Sequence, residues 1–442
     1  MRIAIFVGEF PAVSETFILR QITGLLDLGH KVHIYAESRP HGSYATHPEV
    51  SRYHLLSRTR YMDIPPESGY WEAPVWPLTG RTWIPGSGVS MHNLGRAVRA
   101  LHNLARSMLR APGLTLQVLD PAQYGYQARS LSALYRLSRL CSVRSARDRY
   151  QVLHAHFGPV ANSYRFARDL WKAPLIVSFH GYDFSAWPRK EGAGVYRRLF
   201  DIASAITVSS DHSRERLEQL GCPPTKLHKL PMGVNLSDFP YVERVLEPGQ
   251  YVRVLTVGRL VEKKGIEYAI RAVAQARDTT GLRYDIIGDG PLRDRLETLI
   301  SELAVREIVK LHGAQDGAYV RRMMRKSHIF VLPSVTAANG DQEGQGLVLQ
   351  EAQASGLPVL ATDHNGFRES IVPGTSGFLV PERDVACLAE RLCYLAAHPE
   401  RWPEMGRAGR RHVKEHYDAQ VLSRKLAELY RQVITEYRAR QS

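Results

Sequence analysis

Short apolar runs, each followed by a loop and then an amphipathic helical stretch, recur from one end of this chain to the other. That alternation admits few architectures. Strands apolar on both faces and separated by helices pair in parallel, with helices covering both sides of the sheet. The pattern predicts strands at 2–7, 31–36, 152–156, 175–179 and 205–209, with helices at 14–28 (Ser14 as cap), 160–171 and 212–220. After a Pro- and Gly-containing break at 231–249 the same grammar restarts. Strands are expected at 252–257, 283–287, 308–311, 329–332 and 358–361, and helices at 266–277, 319–326, 347–355 and 385–397, with a last one at 419–438. Two α/β halves follow: an N-terminal domain over 1–240, a C-terminal domain over 250–418, and a terminal helix, 419–442, packing back across the cleft between them. The stretch 41–150 reads as an insertion, irregular and Pro/Gly-rich at first and Arg-rich afterwards.

Charge narrows the class. The chain carries +14, and eleven arginines against two aspartates between Ala73 and Tyr150 supply +9 of it. Leu94, Val98, Leu101, Ala105 and Met108 fall on one helical face; Arg96, Arg99, Asn103, Arg106 and Arg110 follow the same rhythm on another. Such a helix, about 89–110, suits an anionic membrane surface, or else packs its apolar stripe inside the domain. Nucleic acid is disfavoured, since no aromatic side chains interleave with the arginines and no binding motif is present. No run is long and apolar enough to span a bilayer, and a first strand at the N-terminus instead of a signal peptide gives a cytoplasmic expectation, peripheral to the inner membrane face. The four cysteines, Cys141, Cys222, Cys387 and Cys393, have no metal-ligand spacing and read as free thiols.

Loops that follow strands are where chemistry is expected in such sheets. In Glu343-Gly344-Gln345-Gly346-Leu347, two glycines precede a helix whose free N–H groups form an anion site. Glu343 before the helix and Glu351 about one turn inside it could accept from sugar diols, or could simply cap the helix and face solvent. Arg259 and Lys264, in the turn after the strand at 252–257, could clamp a diphosphate without metal, or form a surface cluster with Glu262. His180, in Ser178-Phe179-His180-Gly181-Tyr182-Asp183, ends another strand, as do His154 and His156. A zinc reading of these histidines lacks an HExxH or cysteine partner. The first loop, Gly8-Glu9-Phe10-Pro11, lacks the GxGxxG of a dehydrogenase nucleotide site.

In combination these motifs resemble the retaining glycosyltransferases of family 4. The features shared are Gly258–Gly265, Gly288-Asp289-Gly290-Pro291-Leu292, the Glu343/Glu351 pair, Gly356-Leu357-Pro358-Val359, Gly377-Phe378-Leu379-Val380 and Pro231-Met232-Gly233-Val234-Asn235. In the first half Phe10-Pro11, Ser14-Glu15-Thr16-Phe17 and 154–158 are similar to the bacterial exopolysaccharide branch. The resemblance implies the GT-B fold, two Rossmann-like domains facing across a cleft. It implies a nucleotide-diphosphate sugar as donor, UDP-sugars being preferred over GDP-sugars, and a saccharide acceptor, polyprenyl-diphosphate-linked. No metal and no other cofactor is expected.

Under the resemblance His180, Glu343, Arg259 and Lys264 are catalytic. Glu351, Gly344, Gln345, Gly346 and Leu347, with Arg259 and Lys264, bind the donor. Gln345-Gly346 departs from the family's usual apolar residue or proline. A sugar-nucleotide epimerase on the same fold, or a silent transferase-like scaffold, are the alternatives. The first leaves the basic insertion without a use, and the second does not need the intact site residues.

Overall fold

A computed structural model of the protein describes residues 1–12, 15–40, 47–62, 91–143, 149–277 and 281–441, and for 91–97 the backbone alone. Two parallel sheets organise it. The first contains β1 (Arg2–Glu9), β2 (Lys31–Ser38), β3 (Thr59–Tyr61), β4 (Val152–His156), β5 (Leu175–Ser178), β6 (Ala205–Val208) and β7 (Leu227–Lys229), in the order β3-β2-β1-β4-β5-β6-β7. The second contains β8 (Val252–Val257), β9 (Leu282–Ile287), β10 (Val309–Leu311), β11 (Ile329–Leu332), β12 (Val359–Thr362) and β13 (Gly377–Val380), in the order β10-β9-β8-β11-β12-β13.

The central strands are apolar throughout because both faces are covered. In β11, Ile329 and Val331 join one buried core, while Phe330 and Leu332 join the other. The same alternation divides Leu360 of β12 from its neighbours Val359 and Ala361. Period-two division of a wholly apolar run is what a doubly covered parallel sheet requires.

By internal contacts the residues group into two compact units. One comprises Met1–Ser178, Tyr196–Ile206 and Glu428–Ser442; the other comprises Phe179–Val195 and Thr207–Ala427. The segment carrying His180 therefore belongs with the second sheet's unit.

Several expectations are corrected. The stretch read as irregular includes the helix Pro48–Arg52 and β3, a three-residue strand paired to β2 and too short to show a period. The helix expected at 160–171 is two pieces, Gly158–Tyr164 and Ala167–Trp171. The first helix runs Thr16–Asp27, and Ser14, its expected cap, lies outside the described residues. The helix Trp402–His416 was not anticipated, because its glycines and opening Pro403 mask the periodicity. Trp402 at its start is fully buried and donates its indole N–H to the Leu395 carbonyl at 2.8 Å.

The break at 231–249 is closely packed within its unit. Val234 accepts from Ala419 N–H at 3.0 Å and donates to the Tyr417 carbonyl at 2.8 Å. Arg244, buried, donates to the carbonyls of Met324 (3.0 Å), Arg325 (2.7 Å) and Ser355 (2.6 Å), at the ends of the helices Gly317–Lys326 and Leu347–Ala354. One guanidinium fork thus satisfies carbonyls that two helices leave open.

Candidate functional site

Strand order reverses between β8 and β11, so the loops after these two strands leave the sheet on opposite sides and open a crevice at its carboxyl edge. The loop after β8 brings Arg259, Lys263 and Lys264; the loop after β11 brings Asp341 and Glu343. They meet. Lys264 Nζ lies 3.0 Å from Glu343 Oε2, and Lys263 Nζ lies 3.6 Å from Glu343 Oε1 and 3.0 Å from Asp341 Oδ2. Burial works to raise the Glu343 carboxyl, but Lys264 and then Lys263 outweigh it and hold it down at about 2. Glu343 is therefore an anion, acceptor-only, through the physiological range.

The loop Glu343–Gly346 is confined by its neighbours. A Cβ on Gly344 would stand 2.0 Å from the His180 carbonyl, so only glycine allows the two loops this approach. His180 is thereby brought beside the loop of Glu343. Asp183, fully buried, accepts from the N–H groups of His180 and Gly181, both at 2.9 Å, and so shapes the turn that presents His180. Gly346, with φ +68°, precedes the helix Leu347–Ala354, which has no side-chain cap and no acidic residue in its first turn. Its N-terminal dipole charge is left uncompensated by the helix itself. Leu347 and Glu351 are both partly exposed on that helix.

Two expected site residues stand differently from the rest. Arg259 is exposed, and among the described residues no ion pair or hydrogen bond engages its guanidinium. Gln345 is buried, and its side-chain amide is committed to the backbone of Met232: it accepts from the N–H at 2.7 Å and donates to the carbonyl at 2.8 Å. Its side chain ties the loop of Glu343 to Met232.

Sequence reasoning missed His364, Asn365 and Glu382, which follow β12 and β13. His364 Nδ1 meets Glu382 Oε1 at 2.5 Å, and its Nε2 lies 3.1 Å from the Glu343 N–H nitrogen. Asn365 Nδ2 donates to the Glu343 carbonyl at 2.8 Å. Their positions at strand ends were the available signal.

In the first unit, His154 sits fully buried between Tyr430 Oη (2.6 Å from Nδ1) and Ser178 Oγ (2.7 Å from Nε2), and burial holds its pKa down at about 3. It is a neutral structural histidine, with the His156 ring 4.5 Å away. Among the described residues no three His, Cys, Asp or Glu side chains cluster as metal ligands.

The basic segment forms the helix Met91–Arg110. On its inward side, among the described side chains, Ser107 is buried and Ala100, Asn103 and Leu104 are half-buried. The apolar stripe points out, with Val98 58%, Leu101 64% and Leu109 87% exposed, and Ala105 and Met108 also exposed. Leu116, on the following helix Pro112–Leu119, is exposed too. Packing of this stripe inside the domain, one of the two expectations, is thereby excluded for these residues. No helix among the described residues is long and apolar enough to cross a membrane. Cys141 and Cys222 are buried free thiols, and Cys387 and Cys393 are half-buried.

Comparison with known proteins places these features in context. Residues 241–412 match the family described as glycosyl transferases group 1, and residues 14–233 match the glycosyl transferase 4-like domain. The chain is 33% identical, over 97% of its length and 99% of the relative's, to WcaL of Escherichia coli K12, assigned as a colanic acid biosynthesis glycosyltransferase. It is 31% identical, over 97% of its length and 99% of the relative's, to the amylovoran biosynthesis glycosyltransferase AmsK of Erwinia amylovora. Among solved structures, Anabaena Alr3699/HepE in complex with UDP and glucose aligns over 98% of this chain and 100% of that one, with a TM-score of 0.66 at 14% identity.

Proposed function

We propose, from the premise that this chain belongs to the glycosyltransferase family of the colanic acid and amylovoran biosynthesis enzymes, how its GT-B scaffold carries out transfer. The chain takes a sugar from a nucleotide-diphosphate sugar and passes it, with retention at the anomeric carbon, to a saccharide acceptor carried on a polyprenyl diphosphate. The observation that supports this best is the meeting of Lys264 with Glu343 at the switch point of the second sheet, beside the uncapped helix Leu347–Ala354. Arg259, Lys264 and the helix N–H groups hold the diphosphate and neutralise it as it departs, which needs no metal. Glu343 accepts from the sugar ring and Glu351 from the ribose. His180 sits against the transferred sugar. The transition state is oxocarbenium-like, and the acceptor hydroxyl attacks the face the diphosphate leaves. The domain of residues 250–418 takes the donor, and that of residues 1–240 takes the acceptor. UDP is the preferred donor nucleotide, as it is the one held, with glucose, in the Anabaena structure of the same fold.

The outward apolar stripe of Met91–Arg110, flanked by Arg99 and Arg106, docks on an anionic bilayer, where such an acceptor resides. Replacing Leu101 and Leu109 with Asp should abolish flotation with phosphatidylglycerol vesicles; undiminished flotation would refute the docking.

The donor site is tested by thermal-shift titration with UDP, GDP and ADP. One nucleotide should raise the midpoint selectively, and Glu351→Ala should remove that rise. No rise with any nucleotide would overturn the reading.

A further inference from the structure

Glu343 is held at more than its carboxylate. Its N–H points to His364 Nε2 at 3.1 Å, and its carbonyl accepts from Asn365 Nδ2 at 2.8 Å. One dipeptide, in the loop after β12, therefore grips both polar groups of the Glu343 backbone. A ring nitrogen that receives an N–H must be unprotonated. The same Nε2 also lies 3.1 Å from Asn365 Nδ2, a second donor. The His364 proton is thus on Nδ1, where Glu382 Oε1 accepts it at 2.5 Å. Glu382 is anchored in turn: its Oε2 accepts from Thr336 N–H at 2.9 Å, on the segment that leads into the Glu343 loop. The His364 side chain is fully buried, so no water competes for Nε2. Asn365 holds its amide in place from a left-handed backbone, φ +46°.

We infer that His364, its tautomer fixed by Glu382, is the positioning residue of Glu343. Lys264 and Lys263 orient the carboxylate, and the Glu382–His364–Asn365 clamp fixes the main chain from which it projects. The inference rests on the reading of Glu343 as the group that meets the donor sugar. A carboxylate that contacts the reacting sugar must be placed to within a fraction of an ångström, and a displacement of about 1 Å costs on the order of a hundredfold in rate.

The test uses the full chain with His364→Phe, His364→Gln, Glu343→Gln and the double variant His364→Phe/Glu343→Gln. Two readouts run side by side. Amide hydrogen exchange over residues 336–349 needs no ligand. Nucleoside-diphosphate release from a panel of UDP-, GDP- and ADP-sugars gives kcat and KM. His364→Phe keeps the ring's bulk and loses the acceptor. It should speed exchange at 340–346 and lower kcat about tenfold or more, with KM changed about twofold or less. His364→Gln restores an acceptor at the reach of Nε2 and should recover most of both.

In the Glu343→Gln background the His364→Phe loss should shrink to about twofold or less, because residues acting through one another are not additive. Unchanged exchange in His364→Phe, or an equal fold loss in both backgrounds, overturns the inference. If Glu343→Gln itself leaves turnover intact, or no nucleotide sugar is turned over, the reading of Glu343 fails instead. The exchange data then decide the clamp alone.

Discussion

The side-chain amide of Gln345 closes two hydrogen bonds on one residue, Met232, accepting from its N–H and donating to its carbonyl. A glutamine that sequence motifs place among donor-binding residues instead ties the loop of Glu343 to the segment 231–235. Gln345→Ala leaves two buried backbone groups of Met232 without partners. We expect a loss of about 3 kcal/mol in urea unfolding. Gln345→Glu should not restore it at neutral pH, since a carboxylate has no donor for the Met232 carbonyl. Recovery to wild-type stability in that variant would contradict the assignment.

The Glu343 carboxyl is held at about 2, below its ordinary value of 4.5. A depressed acid stabilises the fold fully above its unfolded value and loses that contribution as pH falls through the folded one. Unfolding free energies measured from pH 6 to pH 2 should therefore show an excess loss below about pH 4.5 in the wild type, on the order of 2 kcal/mol. Glu343→Gln should lack this component. Parallel wild-type and variant curves would show that the lysines do not stabilise the anion.

His154 acts in the same direction over a higher pH range. Buried between Tyr430 and Ser178, it stays neutral down to about pH 3, whereas the unfolded chain takes up a proton near 6.5. The unfolded state thus binds more protons between these values, and stability should fall as pH drops from 6.5 toward 3. A His154→Gln variant, whatever its stability at pH 8, should show a shallower decline from pH 6.5 to 4.5. An identical slope would mean that His154 is protonated in the folded protein.

Arg244 joins the ends of two helices by three carbonyl contacts. Burial draws its pKa down to about 10, still far above neutrality. Arg244→Ala should destabilise by about 3 kcal/mol or more, because it takes the donor from three carbonyls at about 1 to 3 kcal/mol each. Arg244→Lys should recover less than half, because a single ammonium does not reproduce the planar fork. Chemical denaturation of the three proteins decides it.

What was legible in the sequence follows from what burial imprints on it. β8 and β11 were readable to the residue because both faces of each are covered, so Val252–Val257 and Ile329–Leu332 are dominated by apolar side chains. β3 and β7, three residues each at the sheet's edges, leave no such imprint. Lys264 and Glu343 could be picked out because a strand end and a helix start locate them. His364 and Glu382 could not be linked to Glu343, since the link runs through a backbone N–H that any residue at 343 would supply. The helix Met91–Arg110 shows another limit. Its spacing reveals two faces but not which one turns in: Ser107, Asn103, Ala100 and Leu104 lie on the inward side, while Val98, Leu101 and Leu109 are exposed.

The grouping of Phe179–Val195 with the second sheet bears on how such chains can be recombined. The His180 carbonyl packs against Gly344, and the Arg189 guanidinium packs against Gly340, so this segment and the loop 340–346 are shaped to one another. A chimera that joins two relatives at the linker would pair the segment of one parent with the loop of the other. A larger residue at either glycine, or a different turn at Asp183, would then collide where the two segments pack. Exchange of sugar specificity between such enzymes should succeed when Phe179–Val195 travels with the C-terminal half as part of one cassette.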